Sequence, residues 1–258
     1  MTCPASSDIK RLQLALTADK EALFALLDHP DPELFQALLR NPAIDEHHLL
    51  TLLKQRGLQA DLFQLLQRHL ETRGSQHRLA LAMACHPDLP SHLAATLLPC
   101  LHLFELAQLC RLPQIAPDQK LAAERLLIQR LPTQPLGNKL SLARQATAAI
   151  IEALIKEGQP QLFAVCLNNT RLKEGMLHQF VGSAAANAEC LSIIARHPRW
   201  QHRPNLQLAI LKNPRTPEIW FTLWLPRIKR SDLRLLAHAP RLSTHRKALI
   251  TAALGDHA

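Results

Sequence analysis

The chain has 258 residues, of which 47% are hydrophobic and 20% charged, and its formal net charge is +9. This composition is typical of a soluble globular protein and excludes a collagen-like or disordered chain, while the length suits two domains or one array of repeats. There are 18 prolines, 7 glycines and no tyrosine. Because leucine and alanine supply most of the apolar residues, we expect helices.

The amino-terminal segment MTCPASSDIKRL has no apolar stretch after a basic one, so it does not predict an export signal. The longest nearly uncharged run, QATAAIIEALI from Gln145, is too short to cross a bilayer. We therefore expect no membrane span and a cytoplasmic location. The cysteines form no C-x-x-C pair and are expected to be reduced thiols. They are Cys3, Cys85, Cys100, Cys110, Cys166 and Cys190.

A short motif recurs along the chain, for example as LLRNPAIDEHHL from Leu38 and LAILKNPRTPEI from Leu208. In each copy an apolar run ends, a proline follows within two residues, and a new amphipathic run begins. Proline disfavours the helical conformation in the residue before it and fits the first turn of a helix, so each motif predicts a corner between two helices. The corner prolines are Pro30, Pro42, Pro87, Pro113, Pro198, Pro214 and Pro240.

The spacing of these corners indicates a repeat. Pro87 and Pro113 are 26 residues apart, as are Pro214 and Pro240, which is the length of two short helices with their turns. Corners without proline are predicted near Gly57 and at Asn168–Asn169. Such periodicity is typical of solenoids, in which each helix pair packs only on its neighbours. We predict an all-α protein, an α-solenoid of nine or ten short antiparallel helix pairs.

One segment departs from this pattern. A Pro/Gly-rich loop, LPTQPLGN, covers 131–138, and the residues that follow are predicted to form one helix longer than any other, over 138–158. Asn138 is the candidate N-cap of this helix and Gly158 its terminating glycine. The predicted organisation is one solenoid over 1–258, with amino-terminal repeats in 1–130, an irregular joint in 131–158 and basic carboxy-terminal repeats in 159–258.

The repeat pattern LAxxPxTPxxxLxxL resembles the leucine-rich-variant and HEAT-like α-solenoids of bacterial proteins. The resemblance rests on Leu211, Pro214, Thr216 and Pro217, and looser copies occur around Pro87 and Pro198. Its motifs are short and cover about half of the chain. It implies helical segments wound into a right-handed superhelix. The cysteine-ligated iron–sulfur segment of the first-described leucine-rich-variant protein is not expected, because Cys3 is the sole cysteine in the first eighty residues.

The positive charge is concentrated near the carboxyl terminus. From Arg196 to Lys247 the sequence holds 12 basic and two acidic residues, whereas Met1 to Thr72 has a balance of −3. In a solenoid, equivalent positions stack in rows, so cations at successive corners would line one edge and match a phosphate backbone or an acidic protein face. The predicted partner- or phosphate-binding residues are Arg196, Arg199, Arg203, Lys212, Arg215, Arg227, Lys229, Arg230, Arg234 and Arg241.

Other interpretations of these residues stay open. The cations could be solvated surface charges or could face a lipid surface. Trp200, Trp220 and Trp224 lie among them and are candidates for stacking on bases or, alternatively, for filling or capping the core.

No metal site is predicted. The best constellation for one is Cys85, His86, Cys100, His102 and Cys110, but its spacings lack the short ligand pairs of zinc sites.

The sequence carries no catalytic signature, and no catalytic residue and no cofactor are predicted. The first functional expectation is a non-enzymatic scaffold that binds an extended or acidic protein partner through its concave face and its basic carboxy-terminal repeats. The alternative is a nucleic-acid-binding protein. A DNA-repair enzyme is one form of this alternative, because the chain is similar in size and charge to the HEAT-like DNA glycosylases. Asp232 and Glu218 are the acids nearest Trp220 and Trp224 in the sequence. The oligomeric state is left open.

Overall fold

The computed structural model describes residues 6–28, 30–73 and 77–256, and within these ranges all regular structure is helical. Eighteen α-helices and three short 3-10 turns lie in the described residues, which confirms the all-α prediction. The chain forms two compact units, Met1–Arg130 and Leu131–Ala258. Among the described helices, none combines the length and apolar character needed to cross a membrane.

The first unit consists of helices joined by short corners. They are α1 (Ser6–Thr17), α2 (Lys20–Leu26), α3 (Pro32–Arg40), α4 (Glu46–Leu52), α5 (Ala60–Arg73), α6 (His77–Ala84), α7 (Ser91–Leu97), α8 (Leu103–Leu109) and α9 (Pro117–Arg130). A 3-10 turn, Leu98–Cys100, follows α7.

These helices form two layers. In one layer α1 packs on α3, α3 on α5, α5 on α7 and α7 on α9, while in the other α2 packs on α4 and α4 on α6. Helices α1 to α5 and α7 therefore each contact the helix two places further along the chain. The core between the layers is built from leucines and from Phe35 and Phe63, both fully buried.

The second unit is built in the same way. Its helices are α10 (Leu136–Ala143), α11 (Ala148–Ile155), α12 (Pro160–Leu167), α13 (Glu174–Gly182), α14 (Ala188–Arg196), α15 (Pro204–Lys212), α16 (Ile219–Trp224), α17 (Arg230–Ala237) and α18 (Thr244–Asp256). The 3-10 turns are Leu131–Thr133 and Leu225–Arg227. One layer contains α10, α12, α14, α16 and α18, and the other contains α13, α15 and α17. Phe163 and Phe180 pack with ring centroids 4.5 Å apart.

The predicted corners are confirmed. All seven corner prolines lie between helices, as does Gly57, whose φ of 75° is in the region that favours glycine. Asn168 and Asn169 separate α12 from α13. Several helices begin with an Asp or Asn whose side chain accepts a backbone N–H in the first turn, for example Asp31 from Leu34 at 2.7 Å.

The prediction of one long helix over 138–158 is wrong. The chain leaves the helical conformation after α10, and Thr147, with ψ near 168°, precedes α11. Asn138 lies inside α10 and is not its N-cap, whereas Gly158 does follow the end of α11 with a φ of 66°. The break allows both α10 and α11 to pack on α12. The break between α10 and α11 contains no proline. It is stabilised instead by the side-chain amide of Asn169, further along the chain.

Asn169 connects two successive corners by side-chain hydrogen bonds. Its buried Nδ2 donates to the carbonyls of Ala143 and Ala146, at 2.8 and 3.4 Å, which lie 26 and 23 residues earlier. Its Oδ1 accepts the N–H of Arg171 at 2.9 Å. We call this arrangement a corner clasp: one side chain closes its own turn and donates to the preceding corner on the same side of the unit.

The clasp recurs at the pre-proline residues. Asn41 donates to Ala15 and Ala18 and accepts from Ala43, and Asn213 donates to Val181 at 2.6 Å and accepts from Arg215. Both residues precede a corner proline, so the sequence motif has a second role besides ending the helix.

Histidine makes the same clasp with its two ring nitrogens. Nε2 of His86 donates to the carbonyl of Gln55 at 2.8 Å, while Nδ1 accepts the N–H of Asp88 at 3.1 Å. His197 similarly faces Asn168 Oδ1 through Nε2 and accepts the Arg199 N–H at Nδ1. Since one nitrogen must donate and the other must accept, the clasp requires a neutral imidazole.

Replacing a buried clasp residue should cost stability. Asn169→Ala leaves two corner carbonyls and one N–H without their partner, so we expect the free energy of unfolding to fall by about 2 kcal/mol. Urea denaturation followed by circular dichroism measures it. Asn205→Ala, at an exposed position in the same unit, is the matched control and should change stability by less than about 0.5 kcal/mol. Equal effects of the two substitutions would contradict the clasp.

The His197 clasp should make stability depend on pH. Burial, together with the Arg199 guanidinium, lowers the pKa of His197. The unfolded chain therefore takes up this proton at a higher pH than the folded chain, so stability falls as the pH drops below the ordinary histidine pKa of about 6.5. His197→Asn retains a donor and an acceptor and should lose less stability than the parent between about pH 7.5 and pH 5. Parallel curves of stability against pH for the parent and His197→Asn would contradict a role of His197 in this pH dependence.

Candidate functional site

Two of the predicted cations are engaged in the fold. Arg199 donates from Nη1 to the Asn169 carbonyl at 3.0 Å and from Nη2 to the Leu172 carbonyl at 3.1 Å. Arg215 donates from Nη1 to the carbonyls of Ala184 and Ala186. Each arginine lies two residues after a clasp residue and reaches the preceding corner, so its charge is directed toward the chain's own backbone.

The same contact occurs outside the predicted set. Arg246 donates to the carbonyls of Pro214 and Thr216, both at 2.6 Å, and Arg130 donates to those of Pro99 and Leu101, also at 2.6 Å. Charged donors bind these carbonyls because the corner residues lie outside the α-helices, where a carbonyl has no regular helical partner. We refer to these contacts as arginine ties.

Eight predicted cations remain. Arg196 lies over the Trp220 ring, 5.9 Å from its centroid, and Nε of Arg203 lies 3.9 Å from the Glu174 carboxylate. The side chains of the other six are exposed and make no hydrogen bond or ion pair to any residue that the structure describes. They are Lys212, Arg227, Lys229, Arg230, Arg234 and Arg241.

The three tryptophans are buried, with exposed fractions of 3% for Trp200, 6% for Trp220 and 8% for Trp224. Trp220 donates from Nε1 to Ser192 Oγ at 3.0 Å and packs on Trp224 with centroids 5.1 Å apart. Arg199 covers the Trp200 ring at 4.4 Å. The rings therefore pack in the core, and little of their area is accessible for stacking on bases.

Five of the predicted cations line one of two separate concave sites in the second unit, which share no lining residue. The first, which we call the tryptophan cleft, has a volume of about 490 Å³ and includes Arg196, Trp220, Leu223, Trp224 and Arg227. It is formed mainly by α14, α16 and the residues that follow them.

The second site, which we call the basic groove, has a volume of about 720 Å³. It lies along α13, α15 and α17, at their carboxyl ends and the corners that follow. Its cationic and titratable residues are His178, Lys212, Arg215, His238 and Arg241, and its apolar surface includes Val181, Ala184, Ala209, Leu235 and Ala239.

The groove combines positive charge with exposed apolar surface. No carboxylate belongs to its described lining, and the nearest acidic partner is Glu174, 3.6 Å from Nε2 of His178. Leu235 is 63% exposed, which is unusual for leucine. Helix carboxyl ends carry partial negative charge, which Lys212 and Arg241 offset. The groove can therefore hold an anionic group and an apolar side chain next to each other.

Three lining residues of the groove, His178, Leu235 and His238, are not among the predicted binding residues. A signal for two of them is present in the 26-residue interval between Pro214 and Pro240. This interval aligns Ala209 with Leu235, Lys212 with His238 and Arg215 with Arg241, so the groove is lined by equivalent positions of successive repeats. His178 belongs to the preceding repeat, whose corner lacks proline.

The acids named for a catalytic role lie outside both concave sites. Glu218 is exposed and pairs with His245 Nε2 at 2.7 Å. Neither Glu218 nor Asp232 is among the described residues that line the groove or the tryptophan cleft. The geometry thus provides no carboxylate beside Trp220 and Trp224 in these sites for a reaction of the glycosylase type.

The cysteine–histidine constellation of the first unit is not assembled as a group. His86 is a clasp residue and Cys100 is exposed, whereas burial and the Glu105 charge raise the pKa of Cys85. Burial and Glu124 raise the pKa of Cys110 to about 12. The cysteines of the described residues are free thiols, and Cys3 lies outside those residues.

No protein-family model matches the chain. No match to it was found among curated proteins. None was found among solved structures.

The arginine ties should separate structural from free cations. Arg199→Ala and Arg215→Ala each remove a charged donor from corner carbonyls and should lower the free energy of unfolding by about 1 kcal/mol. Lysine at either position should not restore this free energy, since a single ammonium group cannot reach two carbonyls as the planar guanidinium does. Arg227→Ala and Arg234→Ala are the controls and should stay within about 0.5 kcal/mol of the parent. Urea denaturation of the four variants measures their free energies of unfolding. An equal loss of stability in all four would contradict the distinction between tied and free arginines.

Proposed function

We propose that the protein is a non-enzymatic binding module whose basic groove holds an acidic peptide segment that also carries apolar side chains. The observation that carries this proposal is the lining of the groove: Lys212 and Arg241, whose side chains pair with no described residue, lie beside the exposed Leu235. Clusters of cations recognise acidic motifs, and an apolar contact adds affinity that salt does not screen.

The arrangement of the helices is part of what we propose. Each unit is a stretch of right-handed α-solenoid, in which successive helix pairs stack. The contacts between helices two places apart and the clasps and ties between successive corners support it. Stacked pairs place equivalent residues in a row, which is how such proteins form extended binding surfaces.

A peptide fits the groove better than a nucleic acid does. A phosphate backbone needs a continuous track of cations, and unstacked bases need accessible aromatic faces. Here Arg199 and Arg215 are tied to carbonyls and the tryptophans are buried. Of the other predicted cations, two line the groove and two line the separate tryptophan cleft. The groove volume of about 720 Å³ lies in the range of ligand pockets and accommodates several side chains.

Selection from a random peptide display library against the full chain tests the proposal. We expect enriched sequences to combine Asp or Glu with Leu, Ile or Phe. A synthetic labelled copy of an enriched peptide should bind at least about tenfold more weakly to Lys212→Glu/Arg241→Glu in fluorescence anisotropy, because two attractive contacts become repulsive. Leu235→Ser should also weaken binding.

The matched control is Arg227→Glu/Lys229→Glu, which makes the same charge change outside the groove and should leave the affinity within about twofold. Labelled single-stranded and duplex DNA are titrated in parallel across a salt series. Enriched peptides without acidic residues would overturn the proposal. So would DNA binding that is tighter than peptide binding and is weakened alike by both double variants, an outcome that favours the nucleic-acid alternative.

A further inference from the structure

Two histidines and a glutamate converge in the first unit, far in sequence from the basic groove. His77 is the first residue of α6, His102 immediately precedes α8, and Glu105 lies in the first turn of α8. One donor atom from each of the three lies within 4.8 Å of the others. The ring centroids of His77 and His102 are 4.3 Å apart.

The carboxylate of Glu105 is fixed between the two histidines. Its Oε2 accepts the backbone N–H of His102 at 2.7 Å, so the turn that begins α8 orients it. His77 Nε2 lies 2.8 Å from Oε1 and 2.9 Å from Oε2. The side chains of His77 and Glu105 are partly exposed and His102 is exposed, so an ion can reach the cluster from solvent.

We propose that His77, His102 and Glu105 bind one zinc ion, with water completing a four-coordinate site. Two imidazoles and one carboxylate form a ligand set that suits zinc, with bonds of about 2.0–2.2 Å. Tetrahedral bonds of that length place the donors about 3.3 Å apart, so side-chain rotations bring the three atoms to that spacing. For the ion to bind His77 through Nε2, the proton on Nε2 is lost to solvent while Nδ1 takes one up, so the imidazole stays neutral.

The second imidazole distinguishes this cluster from an ordinary ion pair. A histidine–glutamate hydrogen bond is complete with two side chains, yet His102 places its ring against that of His77. Two protonated rings so close to each other would repel, whereas two neutral rings offer lone pairs to one cation.

The position of the cluster suggests what the ion does. His77 and Glu105 are 28 residues apart, which is the span of the corner clasps. The zinc would thus connect the start of α6 to the start of α8, and it would stabilise the first unit as the clasps do elsewhere. Because it binds the folded chain, it should raise the thermal unfolding temperature of the protein.

Isothermal titration of ZnCl₂ into the full-length, tag-free protein after chelator treatment tests the proposal. We expect one ion per chain in the parent. His77→Ala, His102→Ala and Glu105→Gln should each weaken binding at least about tenfold, since each removes one of three protein ligands. His92→Ala, an exposed histidine on α7, is the matched control and should bind as the parent does.

Two further readouts separate a lost ligand from a lost fold. Circular dichroism of the metal-free variants reports folding, and Glu105→Gln keeps an oxygen that can accept the His102 N–H. Co²⁺ in place of zinc should give the intense visible absorption of a four-coordinate site in the parent and in His92→Ala, but not in His77→Ala. Absence of saturable binding, or one-to-one binding that survives in all three folded variants, would overturn the proposal.

Discussion

Backbone carbonyls at the helix corners accept hydrogen bonds from side chains about one helix pair further along the chain, and the packing of both units depends on these contacts. Most helices have fewer than ten residues, so a large share of their backbone groups lies in terminal turns without a partner in the helix. Corners that face the next repeat cannot all be satisfied by water. The clasp of Asn169 and the tie of Arg199 act on carbonyls at two successive corners.

This requirement explains the residues at the corners. A clasp needs one acceptor for the local N–H and one donor for the preceding corner, and both asparagine and neutral histidine provide them. A proline after the clasp residue keeps the chain out of the helix, and an arginine two residues later reaches a second set of carbonyls. The segment Asn213–Pro214–Arg215 thus has a structural role, and the guanidinium of Arg215 binds backbone carbonyls of the same chain.

Local signals made the corners predictable, because proline and glycine act on the backbone of their own residues. The break after Ala143 was not predictable in this way, since the asparagine that stabilises it lies 26 residues later. The same limit applies to function. Arg215 and Arg241 look alike in the sequence, and only the stacking of successive repeats shows that one donates to Ala186 and the other to no described residue. The cluster of His77 with Glu105 also depends on stacking.

The difference between Arg215 and Arg241 shows how a corner arginine can be left outside the structural contacts of the repeat. At position 239 the chain has alanine where the preceding repeat has the clasp residue Asn213, and Arg246 of α18 makes the tie to the corner at Pro214. Arg241 is consequently released from a structural role while it keeps the corner position that faces the groove. With alanine at position 239 and Arg246 making the tie to the corner at Pro214, Arg241 has no hydrogen bond to a described residue, and its charge is available to the partner that we propose. Affinity for an acidic segment is therefore expected where the repeat departs from its own pattern.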